Sequence, residues 1–364
     1  MVELLEAMAR RGASDLFLVT GAPLQVKIDG RVHPVSGPPL TAEAVRGLLY
    51  GVMTERQQRE LEAEWECNFA LSVPDLGRFR FNVYFQRGQL AAVVRFLKSR
   101  IPTLEELHLP ARLKELVLEP RGLFLVVGAT GSGKSTTLAA MIQHRAQTCT
   151  GHILTIEDPI EYLHAHGRSV ISQREVGIDT KSYAAALKNA MREAPDVIMI
   201  GEVRDAETMR AAIAYADTGH LCLSTLHANN AYQALERIVN FFPEEARAAV
   251  LEDLALNLCG IFSQRLMQGL DGGRLPACEL LLPTPYVVDL IRKGELEAVR
   301  DAMAHGRDAG MITFEDSVFA AWQAGRVSRE EALRHVDSRA NLLTRMRLSR
   351  GPASEGGFEL DPGG

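Results

Sequence analysis

The sequence predicts an α/β chain: a parallel-rich sheet covered by helices, with a small α+β module before it and a mostly helical segment after it. Three observations predict this. Between about residues 105 and 283, apolar runs at Leu123–Val127, Ile153–Ile156, Val197–Ile200 and Leu221–Thr225 alternate with helical patterns. The first run ends in the glycine-rich stretch Gly128–Thr136, which opens a helix reaching Gln147. Ahead of all this, residues 1–98 mix short helices with alternating strands.

In the first module, Leu4–Arg11 reads as a helix and Asp15–Val19 and Leu24–Ile28 as strands, the second turning at Asp29-Gly30 into another strand. Thr41 and Thr54 stand where N-caps belong, ahead of helices Ala42–Tyr50 and Glu55–Glu64. Arg78–Phe85 and Leu90–Phe96 read as a hairpin around Gln86-Arg-Gly-Gln. A polar, proline-bearing stretch at 99–104 reads as a linker to the core at 105–283. Residues 284–346 carry four helical patterns, Pro285–Lys293, Leu296–His305, Thr313–Ala324 and Ser328–Val336. The Gly/Pro/Ser-rich end, 347–364, is expected to be disordered.

Composition narrows the class. A chain of 364 residues has room for two or three domains, and 46% hydrophobic residues supply their cores. A net charge of −6 with only 6% aromatics argues against a nucleic-acid partner, which would need a basic face with stacking rings. The five cysteines form no C-x-x-C pair and read as small core residues rather than disulfides or zinc ligands. No apolar run reaches the ~20 residues of a membrane span. Met1-Val-Glu-Leu-Leu-Glu lacks the basic start of a signal peptide. The expectation is a cytoplasmic protein that meets a membrane only through partners.

The glycine-rich stretch carries the strongest chemical signal. Gly128, Ala129, Thr130, Gly131, Ser132, Gly133, Lys134, Ser135 and Thr136 fill G-x-x-x-x-G-K-[ST] and extend one residue past it, between a strand and a helix. Glycines let successive N–H groups turn toward phosphate oxygens, and the helix start adds a positive dipole. Lys134 would reach the β- and γ-phosphates and the Ser135 hydroxyl would ligate Mg²⁺, so the loop reads as a nucleoside triphosphate site.

Hydrolysis also needs acids for the metal and the attacking water. Two acidic segments follow core strands, where an open parallel sheet places its ligand crevice. Glu157, Asp158 and Glu161 follow Ile153–Ile156, although carboxylates crowded this way ordinarily just solvate a loop. Glu202 follows Val197–Ile200 and Gly201, placed to contact Mg²⁺ or its water, while Asp205 suits an N-cap for helix Ala206–Asp217. His220 and His227 bracket the strand Leu221–Thr225 from opposite ends and cannot share one metal; His227 reads as a polar contact near the γ-phosphate. Which acid orients water and which holds metal stays open.

These segments, in this order, resemble the secretion ATPase superfamily of type II secretion and type IV pili. Gly128–Thr136, Ile156–His164, Asp196–Asp205 and Thr218–Ala228 look like its Walker A, Asp box, Walker B and His box. Gly12–Pro23, Phe79–Gly88 and Gln173–Thr180 resemble the twitching-motility branch of pilus retraction ATPases, the PilT/PilU family. Glu66–Ala70, Asn229-Asn230 and Leu256–Leu266 resemble its PilU side more than its PilT side.

The resemblance implies a RecA-like ATPase core behind a PAS-like N-terminal domain, assembled as a homohexamer with ATP between subunits. It implies ATP and Mg²⁺ as cofactors, and Arg80 and Arg95 as arginines entering the site from the N-terminal domain, with Arg204 and Arg274 weaker candidates. The implied partners are an inner-membrane pilus platform protein and a second retraction ATPase. The superfamily's extension and secretion members carry a tetracysteine insert that is missing here, which disfavours a pilus extension or type II secretion assembly role. The matching place for the AIRNLIRE helix of PilT keeps only Leu290-Ile-Arg292. A regulatory subunit that binds ATP with little turnover is the other alternative.

Overall fold

Alternating side chains build the first sheet. Along Gly77–Gln86, Phe79, Phe81 and Val83 are buried while Arg78, Arg80 and Asn82 take the other face. The computed structural model describes residues 1–28, 30–74, 76–97 and 100–349. Its first six strands are β1 (Asp15–Val19), β2 (Gln25–Ile28), β3 (Arg31–Pro34), β4 (Glu66–Val73), β5 (Gly77–Gln86) and β6 (Gln89–Leu97). They form one sheet in the order β3-β2-β1-β6-β5-β4. Phe69 and Phe81 stack at 4.7 Å between ring centres, and Phe79 and Phe96 at 4.9 Å, tying β4, β5 and β6 together. Helices Val2–Arg10, Ala42–Tyr50 and Glu55–Glu64 contribute Leu5, Met8, Val45, Leu49 and Leu61 to the same core. Both threonine caps are made: Thr41 accepts from the Ala44 N–H, and Thr54 and Gln57 form a reciprocal capping box.

The second sheet contains β7 (Gly122–Val127), β8 (Gly151–Glu157), β9 (Ser169–Glu175), β10 (Val197–Ile200), β11 (Leu221–Leu226), β12 (Leu258–Gln268) and β13 (Arg274–Leu281). Their order is β13-β12-β7-β11-β10-β8-β9. The pairs β10/β11, β11/β7 and β12/β7 are parallel, as the alternation with helices requires, and every residue of β7, β10 and β11 is buried. The sheet is mixed, because β12 and β13 close it with an antiparallel hairpin.

Packing gathers the chain into two units. One holds Met1–Ile101 with Ile156–Ala165 and Gln173–Asn189; the other holds Pro102–Thr155, His166–Ser172 and the chain from Ala190 onward. The carboxyl ends of β8 and β9, and the acidic segment after β8, therefore pack with the N-terminal module. In the other unit, Phe314, Val318 and Phe319 of the C-terminal helices pack with Met267, Leu275 and Ala277 of the hairpin.

Helix ends differ from the sequence expectations by capping. The pattern beginning at Leu296 yields a helix only from Ala298, because Gly294 ends the preceding helix in the left-handed conformation at φ +74° and the chain must turn first. Ser328 stands outside its helix and caps it from the Glu331 N–H. A last helix, Arg339–Leu348, runs two residues into the stretch 347–364. Residues 350–364 lie outside the described residues, as do Ser99 of the expected linker and Asp29 of the expected turn.

Candidate functional site

The phosphate loop starts where β7 ends and closes because Gly128, Gly131 and Gly133 take φ of +155°, +80° and +92°. A Cβ on Gly128 would collide with Ser132 Oγ and stand 2.6 Å from the Gln264 carbonyl oxygen, so only glycine fits. Gly133 is the N-cap of the 15-residue helix Lys134–Thr148 and supplies no capping side chain, so the positive end of the helix dipole opens directly onto the loop. Lys134 is buried, and its Nζ donates to the Gly128 and Ala129 carbonyls, both at 2.9 Å, holding the charge over the loop. Ser132 Oγ is buried without a hydrogen-bond partner among the described residues, an orphan that a phosphate oxygen would satisfy. Ala129, Thr130 and Gly131 are exposed, whereas Ser135 and Thr136 are half-buried in the first helical turn. These residues fit a phosphate group.

Glu202 and His227 stand on the loops after β10 and β11, which are neighbours in the sheet. Hydrogen bonds lock those strand ends together: Ser224 Oγ donates to the Ile200 carbonyl, Thr225 Oγ1 to the Gly201 carbonyl, and the Val203 backbone N–H to the Thr225 carbonyl. As a result His227 Nε2 lies 3.0 Å from Glu202 Oε1, while Arg204 Nη2 lies 2.8 Å from Oε2. Burial lowers the His227 pKa, with the Lys134 ammonium adding to the effect and Glu202 opposing it. The shift favours the neutral imidazole within 3.0 Å of the Glu202 carboxylate. A cleft of about 430 Å³ is lined by Gly128, Ala129, His227, Asn229, Gln233 and Arg237, joining the loop to the histidine. Asp205 caps helix Ala206–Asp217 by accepting from the Thr208 N–H, and His220 hydrogen-bonds locally to Tyr215 and Thr218.

The acidic segment after β8 belongs to the other unit. Glu157 is buried, and its Oε1 accepts from Gln173 Nε2 at 3.1 Å; Glu161 is exposed. Arg80 and Arg95 are cross-strand partners on β5 and β6. Arg95 donates to the buried Asp15 at 2.8 Å.

Two residues escaped the sequence reading. Gln264 on β12 lies buried under the phosphate loop, where its Oε1 accepts from Thr137 Oγ1 at 2.6 Å. Glu279 on β13 is buried and accepts from the Ala231 N–H at 2.7 Å and Ser263 Oγ at 2.9 Å, bracing the helix after the His227 loop. Burial pushes its pKa up to about 7. A polar residue inside an apolar strand run was the available signal for both.

The family model described as type II/IV secretion system protein matches residues 2–321. The type IV pilus ATPase PilU of Pseudomonas aeruginosa is 50% identical over 347 residues, covering 95% of this chain and 91% of that protein. The type IV pilus retraction ATPase PilT of the same organism is 41% identical over 332 residues, covering 91% and 96%. Among solved structures, the pilus retraction motor PilT with bound ADP superposes with a TM-score of 0.88 at 42% identity, covering 95% of this chain and 99% of that one.

Proposed function

This chain belongs to the type II/IV secretion system protein family, and we propose that it is a Mg²⁺-dependent ATPase motor that drives or assists type IV pilus retraction. The observation that carries this reading is the pairing of Glu202 with His227 at adjoining strand ends, beside a phosphate loop that only glycine can close. The closer likeness to PilU than to PilT favours the assisting role.

In this mechanism the nucleotide's phosphates lie along Gly128–Gly133 against the positive end of the helix dipole, with Lys134 supplying charge. Mg²⁺, when bound, neutralises phosphate charge and makes the γ-phosphoryl group easier to attack. Ser135 and Glu202 would hold it. His227, whose pKa is lowered by burial, helps to fix the direction of the Glu202 carboxylate. Glu157 and Glu161 are the further acids available to orient water. Arg80 and Arg95 are proposed to stabilise the transferred phosphoryl group.

The assembly is proposed to be a homohexamer at the cytoplasmic face of the inner membrane, acting on a pilus platform protein, with a second retraction ATPase as partner. No helix among the described residues is long and apolar enough to cross a membrane. The test is steady-state ATPase activity of the purified protein, with its mass measured in Mg²⁺-ATP. A hexamer that turns over and is silenced by Glu202→Gln supports a motor in its own right. Tight ATP binding with almost no turnover would make it an accessory subunit.

A further inference from the structure

The acidic segment after β8 is held by an ion pair between a buried carboxylate and a half-buried arginine that the mechanism above does not use. Glu175, at the end of β9, is 3% exposed. Its carboxylate takes a hydrogen bond from the Ile160 N–H, in the middle of the acidic segment. Arg78 of β5 approaches from the sheet of the same unit, its Nη2 3.5 Å from Glu175 Oε2. That separation leaves Arg78 Nε and Glu175 Oε2 buried without a hydrogen-bond partner among the described residues. The neighbours of Glu175 hold the other end of the segment. The Val176 N–H donates to the Glu157 carbonyl at 2.8 Å, and Gln173 Nε2 donates to the Glu157 carboxylate at 3.1 Å and to the Tyr162 carbonyl at 2.9 Å.

We propose that Arg78 and Glu175 are a positioning pair: they fix the acidic loop Glu157–Glu161 against the N-terminal sheet and thereby set the geometry of its carboxylates during turnover. The proposal rests on the reading that this loop serves ATP hydrolysis. Rigidity is available at both ends. Arg78 alternates on β5 with Phe79 and Phe81, whose rings stack on Phe96 and Phe69. Glu175 is braced by Asp179, which accepts from the Glu175 N–H at 2.9 Å and returns its own N–H to the Glu175 carbonyl at 2.8 Å. Stability alone does not account for the pair, since apolar side chains of similar volume commonly serve a buried site as well as an imperfectly bonded ion pair does. The other charges acting on Glu175 are Arg80, which favours its ionised form, and Asp179, which opposes it.

Arg78→Gln, Arg78→Lys and Glu175→Gln in the full chain test the pair by three readouts: kcat and KM for ATP, amide exchange across 157–165, and melting temperature. Arg78→Gln is expected to lower kcat by roughly ten- to a hundredfold, the scale of a small misplacement of a reacting group, with KM unchanged. Exchange at 157–165 should quicken while the phosphate loop stays as protected as before. Glu175→Gln, which keeps an acceptor for Ile160 but loses the charge, should move the same way, and Arg78→Lys should recover most of the turnover. Unchanged exchange at 157–165 in folded variants overturns the proposal, as does a kcat loss that only follows the folded fraction. Quickened exchange with wild-type kcat supports the pair as the loop's anchor and overturns the catalytic use of the loop, which full turnover in Glu157→Gln would show independently. Should Arg78→Gln not fold, Arg78→Lys and Glu175→Gln decide the matter by the same readouts.

Discussion

Glu202 Oε1 and His227 Nε2 lie 3.0 Å apart although 25 residues of sequence, a helix and a buried strand separate them. The second carboxylate oxygen takes both Nε and Nη2 of Arg204, at 2.9 and 2.8 Å. One acid thus has two partners of different character, an imidazole whose pKa burial lowers and a fixed cation.

Glu202→Gln should leave nucleotide affinity near wild type while kcat falls by about a hundredfold or more, the scale of losing one preorganised electrostatic contact. Phosphate release set against titration with a non-hydrolysable ATP analogue measures the two separately. Turnover near wild type would move the catalytic role to Glu157 or Glu161.

Lys134→Ala should abolish nucleotide binding, because it removes the cation held over the loop by the Gly128 and Ala129 carbonyls. Equilibrium binding of a fluorescent ATP analogue is the direct assay. Retained tight binding would mean that the loop is not the phosphate site.

Two glycines make a matched contrast. Gly128→Ala places a methyl group 2.6 Å from the Gln264 carbonyl oxygen at φ +155°, and should cost about 2 kcal/mol or more together with nucleotide binding. Gly47→Ala, in the exposed middle of helix Ala42–Tyr50 with nothing within 4 Å of the new Cβ, should stabilise by about 0.5–1 kcal/mol. Thermal or urea unfolding of both variants checks the pair. A tolerated Gly128→Ala would show that the loop relaxes around a side chain.

Glu279 gives the fold a pH dependence. Its folded pKa is raised to about 7 from 4.5 by burial, so between those values the native state holds a proton that the unfolded chain has released. Stability should therefore fall as pH rises through this window, by roughly 3 kcal/mol in all, and level off above it. Glu279→Gln should unfold at a higher temperature than wild type at pH 8 and at a similar one at pH 5. Equal gains at both values would refute this account.

Much of the fold was legible because local chemistry decides it. Thr41, Thr54 and Asp205 each cap the helix expected of them through a side-chain oxygen. The buried runs that became β7, β10 and β11 are apolar throughout, which leaves them no other place. The strands β4, β9, β12 and β13 were missed. β12 follows helix Glu244–Asn257 without glycine or proline to mark the change, and its partner β7 is far away in sequence. The site divides in the same way. The phosphate loop is a single local motif, whereas Gln264 meets Thr137 across 127 residues and the contact of Glu202 with His227 exists only because β10 and β11 are adjacent.

The β12–β13 hairpin has a consequence for reading genetic data. One arm places Gln264 against the underside of the nucleotide loop, and the other places Glu279 beneath the helix that follows His227. Arg265 between them also reaches the Asn229 carbonyl, the His335 carbonyl and Asp337. Lesions in this hairpin would mimic lesions in the motor's chemistry, although its residues stand outside the phosphate loop and the acidic segments. A screen for immobile cells should therefore recover two classes of allele with one phenotype. They part under partial suppression: a defect of support can be relieved by second changes in the C-terminal helices, and a missing catalytic carboxylate cannot.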